Sequence, residues 1–226
     1  MSAEITRYQR ILETNNETMV TLARLYALVF TAPPWREVFA CPECHRFYSP
    51  DFTLGQASPC CAQPLSDAYP TDKTITYIRD ELTEPLAYAI SCKVENETVA
   101  FGWGWATSVQ KLISVKWPQD INTQTVILRA LAPYCSEQST VYYISELGVD
   151  QAFRRKGIGS QITRQLLNFG LGNKLSVITR TLRNSPMRDI LMRLGMLEII
   201  GPSLGQQDGI NPNRVLFVQS YRSTSS

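Results

Sequence analysis

The stretch from Tyr143 to Gly170, YISELGVDQAFRRKGIGSQITRQLLNFG, constrains the fold of this chain more than any other. An apolar, strand-like run ends at Val149, and a short polar loop then carries Arg154, Arg155 and Lys156 into Gly157-Ile158-Gly159-Ser160. From there a helix-period pattern takes over, with Ile158, Ile162, Leu166 and Phe169 on one face. A strand feeding a basic glycine turn that opens a helix is a device for holding phosphate. The first turn of a helix has N–H groups without intrahelical partners, and its dipole end favours an anion. Gly157 and Gly159 remove the side chains that would keep a ligand away from those groups.

Two familiar glycine-rich phosphate motifs do not fit. A P-loop needs four residues between its glycines and then Gly-Lys-Ser/Thr, which Gly157 to Ser160 does not offer. A dinucleotide fingerprint needs a third small residue where this chain has Ile162, and a strand running straight into the first glycine.

The rest of the chain reads as a mixed α/β sheet. Ile5–Leu12 reads as a first strand. Asn15 or Asn16 caps a helix through Met19, Leu22, Tyr26, Val29 and Phe30, which Pro33-Pro34 ends. Thr71 or Asp72 caps a second helix bearing Ile75, Ile78 and Leu82. Residues 86–94 and 99–107 form a hairpin around Glu95-Asn96-Glu97, with Phe101, Trp103 and Trp105 on one face and Gly102 and Gly104 on the other. That smooth face suits either a ligand or a neighbouring helix. Residues 108–140 read as an irregular loop plus a helix over 123–134. Strands follow at 141–149, 175–181, 197–200 and 214–221. A short helix at 184–194 turns Met187, Ile190, Leu191 and Leu194 inward, and the last residues, 221–226, read as a frayed tail.

Three passages together resemble the GNAT superfamily of N-acetyltransferases. Leu147-Gly148-Val149, the loop to Phe153, and Arg154-Arg155-Lys156-Gly157-Ile158-Gly159 are similar to the family's acetyl-CoA-binding segment. NSPMRDILMRLGM, from Asn184, resembles its Asn-led helix ending in Leu-Gly and an apolar residue. The resemblance implies a single domain over 1–226, with a mixed, mainly antiparallel twisted sheet flanked by helices. It implies that Leu147, Gly148 and Val149 meet the pantetheine arm and that Arg154, Arg155, Lys156, Gly157, Ile158, Gly159 and Ser160 cradle the pyrophosphate. Asn184 would touch the coenzyme from the next element. The activity implied is acetyl-CoA-dependent transfer of an acetyl group to a primary amine, directly and in a ternary complex.

Such a transfer needs a base for the amine proton. Glu146 is the candidate catalytic residue, an acid inside an apolar strand, on the same face as Tyr142, Ile144 and Gly148 by alternation. Structural pairing with a basic residue is the competing role. The Val149 amide suits a developing oxyanion. The general acid is where the chain departs from the family, because the position of the usual tyrosine holds Leu191. Tyr134, Tyr142 or Tyr143, or water, would have to serve. Otherwise the chain is a non-catalytic acyl-CoA-binding sensor.

Residues 38–70 form an insertion with its own staple. Cys41-Pro42-Glu43-Cys44 followed by Cys60-Cys61 resembles a zinc knuckle with a second half-site, so these four cysteines are the candidate ligands of a structural Zn2+. Adjacent cysteines are an awkward ligand pair, and His45, the only histidine, is an alternative to Cys60 or Cys61. The N-terminus lacks the pattern of a secretory signal and no run is long enough to span a bilayer, so a cytoplasmic protein with reduced cysteines is expected. A net charge of +2 with a single arginine in the insertion argues against nucleic acid. The expected partners are acetyl-CoA and a small-molecule or peptide amine, with no membrane, in a monomer or homodimer.

Overall fold

The computed structural model describes residues 6–11, 15–117, 121–200 and 214–221. Its main sheet has seven strands: β1 (Thr6–Arg10), β5 (Tyr88–Val94), β6 (Glu97–Ser108), β7 (Thr140–Val149), β8 (Ser176–Leu182), β10 (Arg214–Gln219) and β9 (Leu197–Ile200), adjacent in that order. Every neighbouring pair is antiparallel except β7 and β8, which run parallel. A second sheet, in the insertion, has the order β3 (Phe47–Tyr48), β2 (Phe39–Ala40), β4 (Ser66–Asp67). Residues 222–226 of the tail and the loop before β10 lie outside the described residues. Among those described, no helix is long and apolar enough to cross a membrane.

One face of the main sheet carries α1 (Asn16–Thr31) and α2 (Thr71–Thr83), packed on Phe101, Trp103 and Ala89. Farther along that face, α3 (Val109–Lys116) and α4 (Ile121–Leu131) cover Trp105, Tyr143 and Ile178. The opposite face carries α5 (Ile158–Gly172) and α6 (Pro186–Arg193) over Ile90, Tyr142, Ile144 and Val177.

Local chemistry sets most element ends. Asn15 caps α1 by accepting from the Thr18 amide at 2.9 Å. Helix α2 departs from expectation: Thr71 is its first helical residue, and Pro70 precedes it with no side-chain cap. Glu97 is already paired with Val94, leaving a two-residue Glu95-Asn96 turn with Glu95 at φ +57°. The largest difference is at 108–140, where α3 occupies what reads as loop. Ser108 ends β6 and caps α3 by accepting from the Lys111 amide at 3.1 Å, so strand passes into helix without a linker.

Gly102 settles the smooth face in favour of a helix. A Cβ there would lie 2.6 Å from Ile162 and 3.2 Å from Leu166, both on α5. Gly102→Val should therefore lower the unfolding free energy by about 1–3 kcal/mol through overpacking, measured by urea denaturation.

Candidate active site and cysteine centre

The site starts from one extra residue in β7. Trp103 pairs with Glu146, but the next β6 residue, Gly104, pairs with Ile144, so Ser145 is a bulge. A bulge resets the alternation of side chains. Glu146 and Gly148 therefore lie on the face of Tyr143, under α1 and α2, and not with Tyr142 and Ile144 as strict alternation predicts. Gly148 fits this placement: a Cβ on it would meet Phe101 at 2.5 Å and Val29 of α1 at 3.0 Å.

The bulge coincides with the end of the parallel pairing. β7 and β8 are joined from Val141↔Ser176 to Ile144↔Thr179 and no farther, while residues 180–182 of β8 continue on β10. The Thr179 hydroxyl donates to the Ile144 carbonyl at 2.9 Å at the point of divergence. Among the described residues no strand pairs with the β8-facing side of residues 146–149. The two strands splay, and a cleft of about 1100 Å³ opens between them and under α1 and α2.

One end of the cleft is the glycine turn. Arg155 and Gly157 both have left-handed backbone, φ +64° and +82°, and Gly157 caps α5. Of the residues expected to hold the coenzyme, Leu147, Gly148, Val149, Arg154, Arg155, Gly157, Ile158, Gly159 and Ser160 line the cleft. Arg154 also straps the turn down, donating to the Val149 carbonyl at 3.0 Å and the Pro33 carbonyl at 2.8 Å. Two predicted residues are not on the wall. The Lys156 ammonium lies 4.9 Å over the Phe153 ring. Asn184 is exposed in the turn before α6, and its neighbour Ser185, which accepts from the Met187 amide at 3.2 Å, lines the cleft instead.

Glu146 stands where the strands part. The Tyr77 hydroxyl donates to its Oε1 at 2.8 Å. Burial, and then the nearby Glu81 carboxylate, push the Glu146 carboxyl up to about 7, with Lys116, Tyr77 and Arg180 opposing. A carboxylate poised there can exchange a proton at neutral pH. The tyrosines singled out from the sequence lie elsewhere. Tyr142 and Tyr143 are buried on opposite faces of the sheet, Tyr134 packs beside α3 and α4, and Leu191 is fully buried in the α5–α6 core. The tyrosines that line the cleft are Tyr26, Tyr69 and Tyr77. A signal for Tyr77 was present: Tyr77 and Glu81 are four apart on α2 and so share a face.

At the roots of the insertion, buried Glu37 accepts from the Tyr69 hydroxyl, and from Arg214 Nη2 at 3.4 Å. Burial, followed by the Glu37 charge, raises the Tyr69 hydroxyl well above its ordinary value. Beyond these roots, Cys41, Pro42, His45, Phe47 and Asp67 of the insertion line the same cleft as Glu146.

The sulfurs of Cys41, Cys44, Cys60 and Cys61 all lie within 4.8 Å of one another. That spread is comparable with the span of a shell of ~2.3 Å zinc–sulfur bonds. Burial pushes the Cys60 thiol up, but hydrogen bonds led by Tyr48 outweigh it and bring it down to about 6, so a thiolate donor is at hand. His45 is not part of the cluster. The adjacent cysteines cease to be awkward once the two turns are compared. In the first, the His45 amide donates to the Cys41 carbonyl at 2.9 Å and His45 has φ +56°. In the second, the Ala62 amide donates to the Ser58 carbonyl at 2.9 Å and Ala62 has φ +55°. Ser58-Pro-Cys-Cys is thus the same turn as Cys41-Pro-Glu-Cys, with Ser58 in the first place and the missing sulfur supplied by Cys60.

A splayed parallel pair, with a helix-capping glycine turn at one end and Glu146 at its apex, sets out the candidate site. The sequence model of the acetyltransferase (GNAT) family matches residues 42–196, more than half of the chain, and the chain belongs to that family. Solved structures agree on the fold. The polyamine N-acetyltransferase of Drosophila melanogaster superposes with a TM-score of 0.57 at 10% identity, over 96% of this chain and 100% of that one. Arabidopsis thaliana NAA60 in complex with acetyl-CoA gives 0.54 at 12% identity, over 95% and 98%. PH1933 from Pyrococcus horikoshii OT3 gives 0.55 at 13%, over 97% and 99%. No curated protein matches the sequence.

Proposed function

We propose that this protein is an acetyl-CoA-dependent N-acetyltransferase that acetylates an amine directly, with both substrates in the cleft. The observation that carries this is the position of Glu146, at the apex of the splay and in one continuous cleft with the Gly157–Ser160 turn. Acetyl-CoA supplies the acetyl group. Glu146, close to half ionised at neutral pH, takes the amine proton, directly or through water, as nitrogen bonds to the acetyl carbon. The carbon–sulfur bond breaks and the departing sulfur takes up a proton. The acceptor class in this reading is a small-molecule or peptide amine; among proteins of this fold, one is a polyamine N-acetyltransferase and one was crystallised with a bisubstrate analogue. The four cysteines would hold a structural zinc, since protein sulfur offers four donors and a closed four-ligand site leaves no open position for catalysis. Reduced thiols of this kind fit a cytoplasmic setting.

Titration calorimetry with acetyl-CoA should give saturable binding, and no heat at high micromolar coenzyme would overturn the proposal. The burial of Leu191 in the core favours a second reading, a coenzyme sensor that does not turn over. Coenzyme binding with no thiol release across polyamines, aminoglycosides, amino acids and peptides would favour that reading.

A further inference from the structure

The carboxylate of Glu81 has no place in the chemistry above, yet it is one of the most constrained groups in the molecule. It lies on α2, buried beneath the sheet, and accepts from three side chains on three other elements. Trp103 Nε1 of β6 donates at 2.7 Å, Ser145 Oγ of β7 at 2.8 Å, and Lys116 Nζ of α3 approaches to 3.5 Å. Two of these partners bear directly on Glu146. Ser145 is the bulge residue beside it, and Trp103 is its partner across β6 and β7. The ring of groups around Glu146 is otherwise made of Tyr26 from α1, Tyr77 from α2, Lys116 from α3, Arg180 from β8, and Tyr69 near the root of the insertion.

We infer that Glu81 is a positioning residue: it pins the Ser145 bulge that places Glu146 in the cleft, and with Lys116 it forms the ion pair that Glu146 faces. Bulges left without support are free to slip by one residue, and such a slip in β7 would turn Glu146 to the opposite face of the sheet. Ser145 offers one hydroxyl, and its acceptor is Glu81. The Glu81 carboxylate disfavours a second negative charge on Glu146, and Lys116, 3.5 Å from Glu81, works in the opposite direction. The inference rests on Glu146 being the base, but it is tested without turnover.

The experiment follows Glu146 by 13C NMR of glutamate-labelled protein, with Glu146→Gln identifying its signal. In Glu81→Gln, Trp103 and Ser145 keep an acceptor while the charge is lost, and the midpoint of Glu146 should fall by about one pH unit or more. In Lys116→Met the same midpoint should rise. Opposite shifts cannot come from a general loosening of the fold, which would move both variants the same way. Shifts in one direction, or none in either variant, would overturn the inference. Should Glu81→Gln fail to fold, Ser145→Ala, which removes the donor that ties the bulge to Glu81, takes its place, and a Glu146 signal and midpoint unchanged in that variant would overturn the inference. Failure of acetyl-CoA to bind would remove the proposed activity and leave the titration result standing.

Discussion

Glu146→Gln should lower acetyl transfer by at least about 100-fold while leaving acetyl-CoA affinity within a factor of two. Gln keeps the volume and can still accept from Tyr77, whose hydroxyl donates to Oε1 at 2.8 Å, but it cannot take a proton. The glycine turn, proposed to hold the coenzyme, lies at the other end of the cleft and is untouched by the change. In the wild type, kcat/KM should rise with pH through an inflection near 7 and then level, because the base works only when ionised. The variant should lose that inflection. Stability carries the same signature with the opposite sense. The folded Glu146 carboxyl sits at about 7 against 4.5 for a free one, so the folded state binds more protons between these values and loses stability as pH rises through them. Glu146→Gln is exempt from that loss. It should be more stable than the wild type above pH 7 by up to about 3 kcal/mol, and level with it in acid. Equal activity in wild type and variant across pH 6–9 would remove Glu146 from the mechanism.

Cys41→Ser should unfold the insertion. Cys41 is wholly buried and belongs to the cluster of four sulfurs. The apolar core of the insertion around it is small: Tyr48 and Leu65 are the only other fully buried members of its cluster among the described residues. So little apolar surface cannot hold some thirty residues in place, and structural zinc contributes about 10–16 kcal/mol to small domains of this kind. The expected result is a single zinc per wild-type chain by elemental analysis and none in the variant. Trypsin should then cut rapidly within 38–70, with acetyl-CoA affinity little changed. A metal-free wild type that resists trypsin as well as the variant does would exclude the metal.

The order of the main-sheet strands, the glycine turn and the four cysteines were legible from residues alone, because each is local. Apolar periodicity gives a helix, Gly157 before a helical stripe gives a turn, and four cysteines in one polar insertion give a cluster. What was not legible depends on partners distant in sequence. Alternation along β7 puts Glu146 beside Tyr142, and only the pairing with β6 reveals that Ser145 is extra. Tyr134, Tyr142 and Tyr143 were candidates as available tyrosines, by residue type alone. The tyrosine that does reach Glu146 is Tyr77, 69 residues away. Likewise, the equivalence of Ser58-Pro-Cys-Cys and Cys41-Pro-Glu-Cys is a likeness of hydrogen bonding that residue identity hides.

The wall shared by the two centres makes them partners in a thermodynamic bargain. Cys41, Pro42 and His45 line the cleft that also contains Glu146, and the insertion is rooted there by Glu37 and Tyr69. With zinc on the four sulfurs, whatever factor the ion contributes to acceptor affinity, the acceptor must return in the tightness with which the ion is held. A saturating acceptor would then slow the removal of zinc by a chelator. Chelator kinetics thus become a way of finding the acceptor without watching the reaction.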